Sequence, residues 1–308
     1  REFLLLGAGA MVVPNTACWG RDNLKGGKKY PSLPNWEVCH SLDDQENEMD
    51  WENLILEKAD GIGIITLNRA EKLNTMTLQF LKEFDEVIDA LADDRKIRVV
   101  VLKANGKVFS AGGDFELLKM LDTAPKARET IRSLGRTITK MYTMPKPIIA
   151  AVDGVAVGGG CNLALSCDFV FASEKAKFGQ TFINIGLIPD TGGLWTLARL
   201  VGVMRAKELA MTGRLIDAYE AERYGMVTKV VPSEKLYDEV MDFARQLAEK
   251  APIALGYIKQ IANRLSEINM ETYFDLEADF MGIALQTKDH KEGLSAFLEK
   301  RKPKFKGE

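Results

Sequence analysis

Histidine and cysteine are scarce, with two and four in 308 residues. His40 and His290 stand alone, outside every segment with catalytic character. Cys18, Cys39, Cys161 and Cys167 make no C-x-x-C pair, and the last two face different ways in a segment that reads as helix. No metal site is expected from them, and a reducing compartment is the simpler setting for unpaired thiols. No apolar stretch reaches the roughly 20 residues of a membrane-spanning helix. The segment FLLLGAGAMVV, residues 3–13, has the length of a signal h-region but no charged n-region beyond Arg1. The expected location is cytoplasmic, or an organelle matrix if residues 1–48 carry a targeting remnant. Positive charge is not in surplus either: the formal net charge of −3 argues against a nucleic-acid partner. Neither G-x-G-x-x-G nor G-x-x-x-x-G-K-[ST] occurs, so the common phosphate loops are missing.

What is present is enough apolar residue, 46% of the chain, to bury a large core. Residues 14–50 are rich in Gly, Pro, Asn and charge without helix or strand periodicity, and residues 1–48 read as a poorly ordered extension or linker. Met49 is a candidate start for the folded unit, with a core over 49–245 and a helical region over 246–308. LILEKADGIGIITLNR (54–69) reads as a hairpin turned at Ala59-Asp60-Gly61. Residues 76–94 place Leu81, Phe84, Ile88 and Leu91 on one helical face. RVVVLKA (98–104) is a continuous apolar run, as expected of a parallel strand buried on both faces. The strand-then-helix order recurs through residues 123–173 and predicts an α/β fold. Further on, Asp217 and Glu220 form a candidate capping box with Gly225 as the stop, a strand is expected at 226–232, and helices over 233–250, 252–267 and 271–287.

Two segments share one design, VFSAGGDFELL (108–118) and VAVGGGCNLAL (155–165): an apolar strand, a glycine turn and a helix start. Glycine lets main chain approach a ligand, and the free N–H groups of a helix start point toward it. Such a pair suits an oxyanion; glycines that merely permit tight packing are the competing reading. Cys161 and Ser110 adjoin these segments with no base near them in sequence, so packing is the expectation for both.

Together with TLNRAEKLNTM (66–76), FGQTFINIGLIPDTGGLWTLARLVG (178–202) and AERYGMVTKVV (221–231), these segments resemble the crotonase, or enoyl-CoA hydratase/isomerase, family over about residues 52–306. The resemblance implies a crotonase-like spiral of ββα units with a C-terminal helical oligomerisation region, assembled as homotrimers or dimers of trimers. It implies an acyl-CoA thioester substrate and no cofactor beyond the coenzyme A that the substrate carries. The matching oxyanion donors are the N–H groups of Gly113 and Gly159. A pair of preorganised donors stabilises the charge that develops on a thioester enolate oxygen. For the coenzyme A end the resemblance points to Lys72, Leu73, Ala111 and Asp114, with Phe297 and Lys300 reaching from the C-terminal tail.

The hydratases of this family use two glutamates, one after the glycine run and one after the FGQ motif. Here those positions hold Asn162 and Phe182, so the usual hydratase mechanism is disfavoured, although Asn162 is able to hold a water or substrate group by hydrogen bonding. Asp190, in GLIPDTGG, stands where the family's phenylacetate-pathway ring-epoxide and enoyl-CoA isomerases carry an aspartate. One carboxylate suffices for a 1,3 proton shift. Pro-Asp-Thr-Gly-Gly is equally a good helix-cap sequence, and both roles stay open. The expected activity is an enoyl-CoA isomerase with Asp190 as base and acid. The alternatives are a hydratase with an atypical site, an acyl-CoA hydrolase or dehalogenase using Asp190, and a non-catalytic acyl-CoA-binding scaffold.

Overall fold

The computed structural model describes residues 51–308. The expected extension at 1–48, Met49, His40, Cys18 and Cys39 lie outside those residues. In chain order the elements are β1 (Leu54–Ala59), β2 (Ile62–Leu67), α1 (Leu78–Asp93), β3 (Val99–Ala104), β4 (Val108–Ser110), α2 (Phe115–Met120) and α3 (Ala124–Thr143). Then come β5 (Ile148–Val152), β6 (Val155–Val157), α4 (Gly159–Leu165), β7 (Phe169–Ser173), β8 (Lys177–Gly179), α5 (Gly193–Thr212), β9 (Leu215–Asp217) and α6 (Ala218–Arg223). β10 (Lys229–Val231) and four helices, α7 (Leu236–Ala248), α8 (Pro252–Arg264), α9 (Met270–Gln286) and α10 (Lys288–Leu298), complete the chain.

Two sheets organise these elements. The larger has the order β1-β2-β3-β5-β7-β10, antiparallel only at the β1–β2 hairpin, and the smaller has the order β4-β6-β8-β9. From β3 to β8 each unit sends a first strand to the large sheet and a three- or two-residue-turned second strand to the small one. Gly154 makes the β5–β6 corner possible: its φ is +77°, and a Cβ there would lie 2.1 Å from the Lys107 carbonyl oxygen just before β4. Side chains of β3 alternate between two cores. Val100 and Leu102 join the main cluster with Phe84 and Phe109, while Val99 and Val101 pack beneath α7 with Val240 and Ala244. That double burial is the reason the strand reads as an unbroken apolar run.

The expected hairpin, the α1 helix and the parallel strands are present, with the Thr77 hydroxyl accepting from the Phe80 N–H to cap α1 at 3.0 Å. Several expectations need correcting. Asp217 caps α6 by accepting from the Glu220 N–H at 2.7 Å, but the Glu220 carboxylate turns to Arg214 and Tyr224, so no reciprocal box forms. The division at residue 246 falls inside α7, whose apolar face belongs to the core beneath the large sheet. Strands β8 and β9 and helix α10 had no distinct periodic signal, and α5 carries a break at Gly202, where φ is +76°. A buried ion pair, Lys259 to Asp168 at 2.7 Å, fastens α8 to the start of β7, and Lys259 also donates to the Lys146 carbonyl at 2.9 Å. No helix among the described residues is long and apolar enough to cross a membrane.

Candidate active site

Because β4 and β6 are neighbours, the glycine segments that follow them emerge side by side. The loop before α1 laces onto the first of these. Ala111 N–H donates to the Leu73 carbonyl at 3.0 Å, Met76 N–H to Gly112 at 2.8 Å, and Asp114 N–H to Met76 at 3.0 Å. This alternation leaves the Gly113 N–H directed away from the loop, and the Gly159 N–H, first in α4, has no helical acceptor. Among the described residues neither N–H donates to a protein acceptor.

Contact between the two segments is made by their other glycines. A Cβ on Gly112, whose φ is +88°, would lie 3.0 Å from the Val157 carbonyl oxygen and 3.1 Å from the Gly159 nitrogen. A Cβ on Gly160 would lie 2.5 Å from the Ser110 Cβ. Packing therefore demands glycine at 112 and 160, whereas a Cβ on Gly113 would meet nothing nearer than Leu118 Cδ2 at 3.9 Å. The tight-packing reading therefore holds for Gly112 and Gly160 and does not account for Gly113.

Gly113, Gly159 and Asp190 line one small cavity of about 30 Å³, together with Met76 and Thr191. Aliphatic side chains of α2 and α3, among them Leu117, Leu118, Ile131 and Leu134, close its far wall. Asp190 Oδ1 lies 3.8 Å from the place a Cβ on Gly159 would occupy, and it accepts a hydrogen bond from the Thr191 hydroxyl at 2.8 Å. Burial pushes the Asp190 carboxyl above the usual carboxylate range, and the Thr191 hydroxyl pulls partly against that rise. Among the described residues no other that lines this cavity is ionisable. The capping role does not form: α5 is capped by Gly192 in the left-handed conformation, without a side-chain bond. A larger cavity, about 600 Å³, lies behind the same loop between Ile138, Gly192 and α8, and it holds neither oxyanion glycine.

Asn162 is wholly buried, and both ends of its amide are taken by protein. Its Nδ2 donates to the Asp190 main-chain carbonyl at 2.8 Å, and its Oδ1 accepts from Gln180 Nε2 at 2.7 Å. In place of the expected substrate contact, it holds the loop that carries Asp190. Phe182 packs outside the glycine run, its ring Cζ 3.8 Å from where a Cβ on Gly158 would lie, and it does not line the cavity. Leu73 is exposed beside Lys72, and Leu73 is joined to Ala111 through the main-chain bond above. Asp114 is brought to the same loop, but its carboxylate is occupied by Arg69 at 2.9 Å, the Thr75 hydroxyl at 2.9 Å and the Glu116 N–H at the start of α2. Phe297 and Lys300 sit exposed at the end of α10, and neither lines the cavity. Ser110 donates to the Asn74 carbonyl at 2.8 Å, and burial pushes the Cys161 thiol up to about 12, so neither is poised as a nucleophile.

Residues that sequence reasoning missed support this frame. Asn74, buried with φ at +51°, donates from its side chain to the Asn105 and Val108 carbonyls at 2.9 Å each and accepts from the Arg69 N–H. An asparagine in KLNTM that tolerates left-handed backbone was its one visible signal. Thr191 and Gln180 gave none.

A model described as enoyl-CoA hydratase/isomerase matches residues 57–308. A crotonyl-CoA hydratase of Syntrophomonas wolfei is 39% identical over 259 residues, covering 83% of this chain and 99% of that protein. A 1,2-epoxyphenylacetyl-CoA isomerase of Escherichia coli is 38% identical over 255 residues, covering 80% of this chain and 95% of that protein. The crystal structure of an enoyl-CoA hydratase from Bacillus anthracis superposes with a TM-score of 0.80 at 36% identity, covering 83% of this chain and all of that one. With Gly113 and Gly159 lining one cavity on a ββα spiral and its long matches to these relatives, the chain belongs to the enoyl-CoA hydratase/isomerase family and has the crotonase fold.

Proposed function

We propose that this enzyme is an enoyl-CoA isomerase that moves a double bond by proton transfer through a thioester enolate. The observation that carries the reading is the placement of Asp190 as the one ionisable side chain in the cavity that Gly113 and Gly159 share. The Asp190 carboxylate takes a proton from C2 of a 3-enoyl-CoA. The electron pair moves onto the thioester oxygen, where the Gly113 and Gly159 N–H groups hold the charge. The same carboxyl returns the proton at C4, and the 2-enoyl-CoA results with no net change in protons. A base in an apolar cavity has its pKa raised toward the working range, which favours abstraction.

Hydratase names are common among the relatives, and addition of water calls for a second acid. Asn162 and Phe182 stand where the family's hydratases place theirs, and Asn162 is wholly buried with its amide directed to Asp190 and Gln180. That supports isomerisation over hydration. The coenzyme A end is assigned to the exposed face around Lys72, Leu73 and Ala111, with Asp114 fixing the loop rather than meeting the ligand.

The test is turnover of matched 3-enoyl- and 2-enoyl-CoA panels in heavy water, with hydration and free thiol followed together. Asp190→Asn should lower isomerisation by about a hundredfold or more, the range of a lost general base, and deuterium should enter at C2 and C4. Undiminished turnover in Asp190→Asn would sink the mechanism. Released thiol as the main product would favour the hydrolase, and tight binding without exchange the scaffold.

A further inference from the structure

We propose that Thr191 is a positioning residue that fixes the Asp190 carboxyl against the oxyanion glycines through both halves of the proton transfer, an inference that rests on Asp190 as the proton carrier. Thr191 is only 3% exposed, and its φ is +52°. A β-branched residue adopts left-handed backbone under strain that glycine avoids. The turn alone therefore does not account for threonine. What the strained conformation achieves is placement: it sets the hydroxyl 2.8 Å from Asp190 Oδ1 and 3.6 Å from the site of a Cβ on Gly159.

A hydroxyl suits this place because a single-carboxyl isomerase cycles between carboxylate and carboxylic acid. Thr191 donates to the first and, on rotating its proton, accepts from the second. It is the one side chain that hydrogen-bonds the Asp190 carboxyl among the described residues. The groups facing that carboxyl from the other elements are Met76 on the loop before α1, aliphatic residues and Thr130 on α2 and α3, and Gly159 on α4, none of them charged. Loss of the hydroxyl thus falls directly on the titration of Asp190. A donor to the charged form favours it, so removal moves the carboxyl pKa further upward.

The experiment uses the full chain with Thr191→Val, Thr191→Ser and Thr191→Gly. Valine keeps the branched shape and the strain and removes only the hydroxyl; glycine removes both. Carbon-13 NMR of aspartate-labelled protein, referenced to Asp190→Asn, reads the Asp190 titration without turnover. Valine and glycine should each raise it by about one unit or more, and the acid limb of kcat/KM should move by the same amount. kcat should fall about tenfold while KM changes less than twofold, and serine should restore both. An Asp190 titration and pH profile unchanged in valine and glycine would overturn the proposal, whatever happened to stability. Full turnover in Asp190→Asn would instead remove the proton carrier and this role with it.

Discussion

The Asn162 side chain spans from Gln180 to the main-chain carbonyl of Asp190, with bonds of 2.7 and 2.8 Å. Asn162 thereby anchors the loop that carries Asp190. Asn162→Ala should leave the buried Gln180 amide with only its weak contact to the Cys161 sulfur and the loop without its anchor. The expected cost is about 2–3 kcal/mol in urea unfolding. Turnover should fall roughly tenfold to a hundredfold as the carboxyl loses its fixed geometry. Wild-type kcat in this variant would show that the anchor is redundant with the Gly193 N–H, which also reaches the Asp190 carbonyl.

Four of the five glycines in the segments 108–118 and 155–165 should respond differently to alanine. Gly160→Ala drives a Cβ to within 2.5 Å of Ser110, and overpacking of this kind costs about 1–3 kcal/mol or more. Gly112→Ala adds backbone strain at a φ of +88°. Gly113→Ala meets open space, so its melting temperature and turnover should stay near wild type. Gly159→Ala should fold, with its Cβ 3.4 Å from a flexible Met76 sulfur, yet abolish most turnover because that Cβ occupies the space between Asp190 and the bound carbonyl. Thermal melts paired with turnover separate the four; normal activity in Gly159→Ala would contradict the proposed site.

Most of the large sheet was legible because β2, β3 and β5 are buried on both faces and their apolar runs are continuous. That Gly113, Gly159 and Asp190 belong together was legible through motif order, and the fold brings the three to one cavity. Strands β8 and β9 were not, since three residues are too few to show an alternating period. Asn162 was visible as a departure but not as an anchor, because its role depends on Asp190 and Gln180, 28 and 18 positions away. Asp114 shows the same limit: an acid beside a glycine run looks available, and only the fold reveals that Arg69 and Thr75 already hold it.

That arrangement sets an acid dependence of stability. The Arg69 guanidinium, then the Glu116 N–H and the Thr75 hydroxyl, hold the Asp114 carboxyl down to about 2. A depressed folded-state pKa contributes stability that is fully present above the ordinary aspartate value and is lost as pH falls from about 4 toward 2. Solvent reaches the pair, so the contribution is roughly 1 kcal/mol rather than the full Coulombic value. Asp114→Asn should lose that amount at pH 7 and show a flatter fall in stability between pH 4 and pH 2. Parallel acid limbs in the two proteins would mean that Arg69 does not stabilise Asp114 in solution.

The C-terminal helices present an apolar surface that a lone chain leaves in water. α9 buries none of its side chains, and Met270, Phe274, Met281 and Ile283 are among its exposed residues. α10 adds Leu294, Phe297 at 80% exposure, and Leu298. Apolar patches of this extent on a soluble protein mark association surfaces, and identical chains close most readily into small symmetric rings. The family resemblance implies a homotrimer or a dimer of trimers for this surface, and light scattering on the full chain should then give three or six times its 34.2 kDa mass. Met281→Lys with Phe274→Glu should lower that mass and, if Phe297 and Lys300 of a neighbouring chain complete the coenzyme A end, raise KM for the thioester more than it lowers kcat. A monomeric wild-type chain with full activity would overturn both expectations.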